Sequence, residues 1–189
     1  GTCVDGYGQY TCVCPSDRTG ENCDRECGAS YDAAFILDIS GSVYDVYALG
    51  LSVFREIIYG LEFRFDRTRA ALVLYSDTAS VRFYLNTYQD KRDILEAMSL
   101  KDYRGRTNTQ EDLGMVYDDI FRSNAGDRSQ VQNIVILGTD GASNIRTSET
   151  LEKARTLKNN GARVYVIAIG GRVNMDEVNG MASEATSDY

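Results

Sequence analysis

Apolar and polar residues follow one another in a pattern that predicts alternating strands and helices over most of the chain. Apolar runs at residues 33–37, 70–75, 134–137 and 164–169 are typical of strands, and residues 35–37 indicate a strand buried on both faces. Residues 47–61 carry apolar side chains at steps of three and four, which predicts a long amphipathic helix. Strands that alternate with helices in this way favour βαβ units and a parallel sheet.

The remaining segments extend this prediction. Residues 81–85 alternate between apolar and polar side chains, which predicts a half-exposed edge strand running antiparallel to its neighbour. Further helices are predicted at residues 91–100, 110–121 and 149–158, and a last helix begins near Met175. We therefore expect an α/β fold with a doubly wound, mostly parallel open sheet, in which residues 33–37 and 134–137 form neighbouring strands. Such sheets bind ligands beyond the carboxyl ends of their strands, where the winding direction reverses.

Oxygen-bearing side chains directly follow these two central strands. The segment of residues 38–42 comes after the first strand, the segment of residues 139–141 after the fourth, and a third polar segment lies at residues 107–109. The candidate ligands are two carboxylates and three hydroxyls: Asp38, Ser40, Ser42, Thr107 and Asp140. Hard oxygen donors of this kind suit Mg²⁺ above all, and also Mn²⁺ or Ca²⁺. The alternative is that Ser40, Ser42 and Thr107 only cap helices, as hydroxyl side chains at such turns commonly do.

Composition removes several classes of function. The net charge of −8 disfavours nucleic-acid binding, which depends on Lys and Arg neutralising phosphates. No apolar run approaches the roughly 20 residues of a membrane-spanning helix, so membrane attachment would come from parts of the parent chain outside this sequence. The chain contains no histidine, which excludes catalysis by imidazole and leaves a metal-dependent hydrolase poorly supported.

All five cysteines lie within the first 27 residues, in a Gly-rich segment that cannot build an apolar core. This density is typical of a small extracellular module held together by disulfides. A zinc knuckle is the alternative, but Cys12-x-Cys14 without a second such pair or any histidine fits zinc poorly. The cysteines therefore place the chain outside the cell, as part of a secreted protein or of a membrane protein's ectodomain.

The combination of Asp38-x-Ser40-x-Ser42, Thr107-Asn108-Thr109 and Thr139-Asp140-Gly141 closely resembles the von Willebrand factor type A domain. The later run at residues 161–170 is similar to that family's fifth strand. The resemblance implies that residues 27–189 form such a domain without its last strand and helix. It also implies that the five candidate ligands form a complete metal-ion-dependent adhesion site.

The cysteine spacing resembles the second half of an EGF-like domain, which would occupy residues 1–26, as in matrilin-type proteins. The resemblance implies a disulfide between Cys14 and Cys23, and partners upstream of this sequence for Cys3 and Cys12. Cys27 would pair with a cysteine farther along the chain or in a neighbouring module. The run after Cys3 is also similar to the signature of calcium-binding EGF-like domains and would make Asp5 a calcium ligand. The acidic residues that this family places before its first cysteine are absent here.

These observations together predict a non-enzymatic extracellular adhesion or matrix module. A divalent cation held largely by neutral hydroxyls keeps much of its charge and accepts a further anionic oxygen. The expected partner is an extracellular protein that presents an Asp or Glu carboxylate, such as a matrix protein or collagen. The alternative is a structural module that assembles the matrix through contacts independent of metal.

Overall fold

The structure is a computed structural model and describes residues 2–6, 9–14, 18–19, 23, 25–26, 30–39, 47–63, 66–75, 79–98, 116–139, 147–171 and 173–184. The chain divides into two compact units, Gly1–Ser30 and Tyr31–Tyr189. The sequence pattern placed the boundary between residues 26 and 27, a few residues earlier than this division.

The first unit contains two short antiparallel pairs of strands. Strands β1 (Thr2–Gly6) and β2 (Gln9–Val13) form one pair, and β3 (Arg18–Thr19) and β4 (Arg25–Glu26) form the other. Within the part of the unit that the structure describes, a disulfide joins Cys14 to Cys23. Cys27 lies outside the described residues.

A second disulfide joins Cys3 to Cys12 and corrects the expectation that both residues pair with cysteines upstream. The physical reason is the register of the first hairpin. Cys3 lies directly opposite Cys12 across the antiparallel pair of β1 and β2, with their Cα atoms 3.9 Å apart. Since residues directly opposite one another in an antiparallel pair project to the same face, the two thiols meet without any rearrangement of the strands.

The second unit is built on a five-stranded sheet in the order β7-β6-β5-β8-β9. Its strands are β5 (Tyr31–Asp38), β6 (Thr68–Tyr75), β7 (Ala79–Phe83), β8 (Gln132–Thr139) and β9 (Arg163–Ala168). All neighbouring pairs are parallel except β6 with β7, which is antiparallel at one edge. The predicted mostly parallel sheet, its antiparallel edge strand and the pairing of its first and fourth strands are confirmed.

The helices connect these strands as the apolar periodicity predicts, with some differences in length. The α-helices among the described residues are α1 (Tyr47–Gly60), α2 (Lys91–Ala97), α3 (Thr147–Asn159) and α4 (Met175–Met181). Helix α2 begins after Asp90, whose side chain accepts a hydrogen bond from the backbone N–H of Arg92 and caps the helix. Of the helix predicted at residues 110–121, the structure describes only a π-helical turn at Val116–Ile120. A 3₁₀ turn follows at Ser123–Ala125.

Two apolar cores lie on opposite faces of the sheet. Successive residues of β5 point alternately to the two sides, so Phe35 and Leu37 pack in one core with α1 while Ala34 and Ile36 pack in the other with α3. Residues 32–38 of β5 are all buried, as expected for a strand at the centre of a doubly covered sheet. Each fully buried large side chain contributes roughly 1.5–3 kcal/mol. Burial on both faces therefore holds β5 in place, and with it Asp38, which directly follows Leu37.

Candidate metal centre

Asp38 is the last residue of β5, at the carboxyl end of the central strand. Its side chain is buried, with 3% of its surface exposed. The backbone after Asp38 is held to β6, because the N–H of Ile39 donates to the carbonyl oxygen of Tyr75 at 2.8 Å. The carboxylate is therefore held at the rim of the sheet between well-packed strands.

Thr139, the last residue of β8, lies beside Asp38 although the two are 101 positions apart in the sequence. The hydroxyl of Thr139 donates to Oδ2 of Asp38 across 3.3 Å. The parallel register pairs Leu37 with Gly138, which places the ends of the two strands side by side. The sequence identifies Thr139 only as the first residue of a polar segment. Its contact with Asp38 results from the pairing of two strands that are distant in the sequence.

The other four predicted ligands, Ser40, Ser42, Thr107 and Asp140, lie outside the described residues. Within the part of the chain that the structure describes, no group of three or more His, Cys, Asp or Glu residues is arranged to hold a metal ion. Asp38 is thus the one member of this set of five predicted ligands whose position the structure gives. A buried carboxylate with a hydroxyl beside it, at the carboxyl end of a central strand, fits the hard-oxygen chemistry of a divalent cation site.

Asp5, the predicted calcium ligand of the first unit, lies in β1 opposite Tyr10 of β2. Its backbone takes part in the antiparallel ladder that also aligns Cys3 with Cys12. The role of Asp5 in calcium binding stays a prediction.

A second buried aspartate, Asp32, lies near the opposite end of β5 and was not identified from the sequence. It is fully buried, and its two oxygens accept hydrogen bonds from the backbone N–H and from Nε and Nη2 of Arg128, at 2.6–2.9 Å. Arg128 Nη2 also donates to the carbonyl oxygens of Tyr31 and Arg67, at 3.0 and 3.1 Å. This arrangement ties the beginnings of β5 and β6 to the segment that leads into β8.

Asp66 extends this cluster toward solvent. Arg69 donates to both of its carboxylate oxygens, at 2.7 and 2.8 Å, and Nη1 of Arg128 lies 3.6 Å from Oδ2. The hydrogen bond from Arg69 lowers the pKa of Asp66; partial burial opposes this shift, and the charges of Arg128 and Arg69 assist it. The same hydrogen bond raises the pKa of Arg69. We assign this cluster a structural role, because its charges are paired and it lies at the end of the sheet away from Asp38.

The helices in the described part of the chain are all too short or too polar to cross a lipid bilayer.

Comparison with known proteins connects these features to one family. The model of the von Willebrand factor type A domain matches residues 32–189. Matrilin-1 of Gallus gallus is 28% identical over 196 residues, covering 99% of this chain and 39% of matrilin-1. Integrin alpha-1 of Gallus gallus is 28% identical over 178 residues, covering 87% of this chain and 61% of the integrin sequence. The chain therefore spans 39% of the length of matrilin-1 and 61% of that of integrin alpha-1, less than two thirds of each.

Solved structures show the same fold. Proximal thread matrix protein 1 from the mussel byssus superposes with a TM-score of 0.74 at 26% identity, over 84% of this chain and 42% of that one. The same mussel protein with a zinc-occupied MIDAS motif gives a TM-score of 0.73 at 25% identity. Matrilins, integrins and collagen VI chains are extracellular matrix and adhesion proteins rather than enzymes. Since the family model extends over residues 32–189, the chain belongs to the von Willebrand factor type A domain family.

Proposed function

We propose that this chain is an extracellular adhesion or matrix module that binds a protein ligand through a divalent cation. The observation that carries the proposal is the meeting of Asp38 and Thr139 at the carboxyl ends of β5 and β8, at 3.3 Å. This is the point at which the winding of the sheet reverses, where α/β sheets bind their ligands. Asp140 follows Thr139 directly in the sequence, and we expect its carboxylate near the same rim.

The residues that would hold the cation are Asp38, Ser40, Ser42, Thr107 and Asp140. When bound, the cation would supply a positive charge that a carboxylate of the partner can complete. Two carboxylates would formally balance the double charge of the ion, but three of the five ligands would be neutral hydroxyls, so the ion could still exchange a water for an anionic oxygen of the partner. We expect Mg²⁺ to be the physiological ion, because it keeps exchangeable waters in an octahedral shell, with Mn²⁺ or Ca²⁺ as substitutes. The structure of the mussel protein with a zinc-occupied MIDAS motif supports the binding of a divalent cation by this fold.

The extracellular location is supported by the first unit. Disulfides persist in oxidising compartments, and two of them lie within the described part of residues 1–30. The alignment with matrilin-1 covers 99% of the chain and so includes most of this cysteine-rich unit. We expect the partner to be an extracellular protein, such as a matrix protein or collagen, that presents an Asp or Glu side chain.

Binding to immobilised collagen, measured in Mg²⁺ and then in EDTA, tests the proposal. The Asp140→Ala variant should lose Mg²⁺ binding and collagen binding together. The Asp176→Ala variant, which removes an exposed aspartate in the first turn of α4, should keep both. Collagen binding that persists in EDTA would overturn the cation mechanism and favour a structural module with metal-independent contacts. Hydrolysis of a phosphoester lost in Asp140→Ala would favour an enzyme instead.

A further inference from the structure

Ile169 lies where α1 comes closest to the two central strands. It directly follows β9, its side chain is 4% exposed, and its backbone N–H donates to the carbonyl oxygen of Thr139 at 2.9 Å. A Cβ atom added to Gly50 of α1 would lie 2.5 Å from Cδ1 of Ile169, and one added to Gly138 of β8 would lie 2.8 Å from it. The δ-methyl group of Ile169 is therefore held between the helix and the sheet, against two residues that have no side chain.

The walls of this slot are close together. A Cβ on Gly50 would also lie 2.9 Å from Cδ1 of Leu37, and one on Gly138 would lie 3.1 Å from the same atom and 3.3 Å from Cζ of Phe54. Neither glycine is among the described residues with positive φ, so the requirement at both positions is for space and not for an unusual backbone. Glycine disfavours a helix, and its occurrence in the first turn of α1 is explained by this close approach.

The residues around the slot lead directly into the proposed cation site. Leu37 precedes Asp38, and Gly138 precedes Thr139, whose hydroxyl contacts Asp38. Helix α1 begins at Tyr47, and the sequence between Asp38 and this helix contains Ser40 and Ser42. The Ile169 side chain thus touches β5, β8 and α1, each of which is joined in the sequence to a predicted ligand.

We infer that Ile169 is a positioning residue for the cation site. Its δ-methyl group sets the distance of α1 from the ends of β5 and β8, and thereby the spacing of the oxygen ligands joined to these elements. The inference rests on the proposed function. It is a separate statement about how the site is held, because Ile169 contributes no oxygen and does not contact the ion.

The test is a comparison of two variants that delete the same methyl group from the same core. Ile169→Val removes Cδ1 from the slot, while Ile134→Val removes it near the start of β8, far from the rim. The Kd for Mn²⁺ is measured by electron paramagnetic resonance of the free ion, with Mg²⁺ as competitor. We expect Ile169→Val to weaken binding about tenfold, the lower end of the range for residues behind metal ligands, and Ile134→Val to leave it unchanged.

A second variant pair tests the direction of the effect. Gly138→Ala introduces a methyl group 2.8 Å from Cδ1 of Ile169. We expect it to weaken Mn²⁺ binding and to raise amide hydrogen exchange in α1 without metal. Adding Ile169→Val removes the clashing atom and should restore part of both properties. A purely structural role would lower stability in all variants without this rescue of the Kd.

The outcomes separate the two proposals. If the wild-type chain binds no Mn²⁺ or Mg²⁺, the cation function fails and the positioning role fails with it. If the wild type binds the ion while Ile169→Val and Ile134→Val have the same Kd, only the positioning role is overturned. Equal amide exchange in α1 for these two variants would overturn it as well.

Discussion

The ion pair between Asp32 and Arg128 is predicted to be a main determinant of the stability of the larger unit. Asp32 is fully buried and the Arg128 side chain is 18% exposed, so neither charge is well hydrated in the folded state. Asp32→Asn keeps the size of the side chain and one acceptor oxygen, but leaves the Arg128 guanidinium without its buried counter-charge. Removing one partner of a buried pair costs about 3–5 kcal/mol.

The structure places this substitution near the lower end of that range. Arg128 keeps its hydrogen bonds to the carbonyl oxygens of Tyr31 and Arg67, and its Nη1 also donates to the carbonyl oxygen of Asp66. We therefore expect Asp32→Asn to lower the free energy of unfolding by about 3 kcal/mol. That is a large fraction of the roughly 5–15 kcal/mol available to a domain of this kind.

The assay is urea unfolding followed by far-ultraviolet circular dichroism at neutral pH, with the midpoint and slope compared between variants. Asp93→Asn is the control, because Asp93 forms an exposed pair with Arg92 across 3.6 Å and should change stability by less than about 1 kcal/mol. The double variant Asp32→Asn with Arg128→Met removes both charges and should be less destabilised than the sum of the two single variants. A loss for Asp32→Asn as small as that of Asp93→Asn would refute the reasoning.

Three further predictions concern two glycines in turns, the carboxylate of Asp66 and the disulfides of the first unit. Gly126 (φ 99°) and Gly161 (φ 87°) both adopt left-handed backbone, but only at Gly126 would an added Cβ meet another segment, at 2.7 Å. Gly161→Ala should lower the free energy of unfolding by about 1–2 kcal/mol in the same urea assay, and Gly126→Ala should lower it clearly more. Equal losses of stability would contradict the steric argument. Because the folded-state pKa of Asp66 is lowered, its contribution is present above its unfolded pKa and is lost as pH falls through the folded value. The stability difference between wild type and Asp66→Asn should therefore be constant near neutral pH and shrink in acid, and a difference that grows in acid would contradict this sign. Non-reducing peptide mapping should recover Cys3 linked to Cys12, whereas linkage of either residue to another peptide would support the EGF-like pairing.

The central sheet could be predicted from the sequence because its strands are buried on both faces. Runs such as Phe35–Leu37 contain no polar residue, as expected for a strand buried on both faces, and their short length favours a strand over a buried helix. The order of strands and helices then favours a parallel sheet with β5 beside β8. The ends of elements were less accurate: the edge strand begins at Ala79, two residues before the predicted position. Strand ends depend on hydrogen bonds to other segments, which apolar periodicity does not record.

Contacts between distant polar residues could not be predicted in the same way. Asp32 and Arg128 are 96 positions apart, and nothing in their local sequence distinguishes them from exposed charged residues. The pairing of Cys3 with Cys12 depends on the register of one short hairpin, which cysteine spacing alone leaves undetermined. The slot for Ile169 depends on how closely α1 approaches the sheet, and a glycine in a helical pattern indicates this only after the packing is known.

The two buried aspartates of β5 have different proposed roles, and their contacts distinguish these roles where burial does not. Asp32 and Asp38 lie in one strand and are almost equally buried, so burial alone does not distinguish them. Their surroundings do. Arg128 supplies the charge that compensates Asp32, and this ion pair holds the strands together. Asp38 lies at the opposite end of the strand, beside the Thr139 hydroxyl and next to a segment rich in oxygen donors. The proposed cation would bind the carboxylate of Asp38 as Arg128 binds that of Asp32, with the difference that a bound ion can also accept a ligand from another protein.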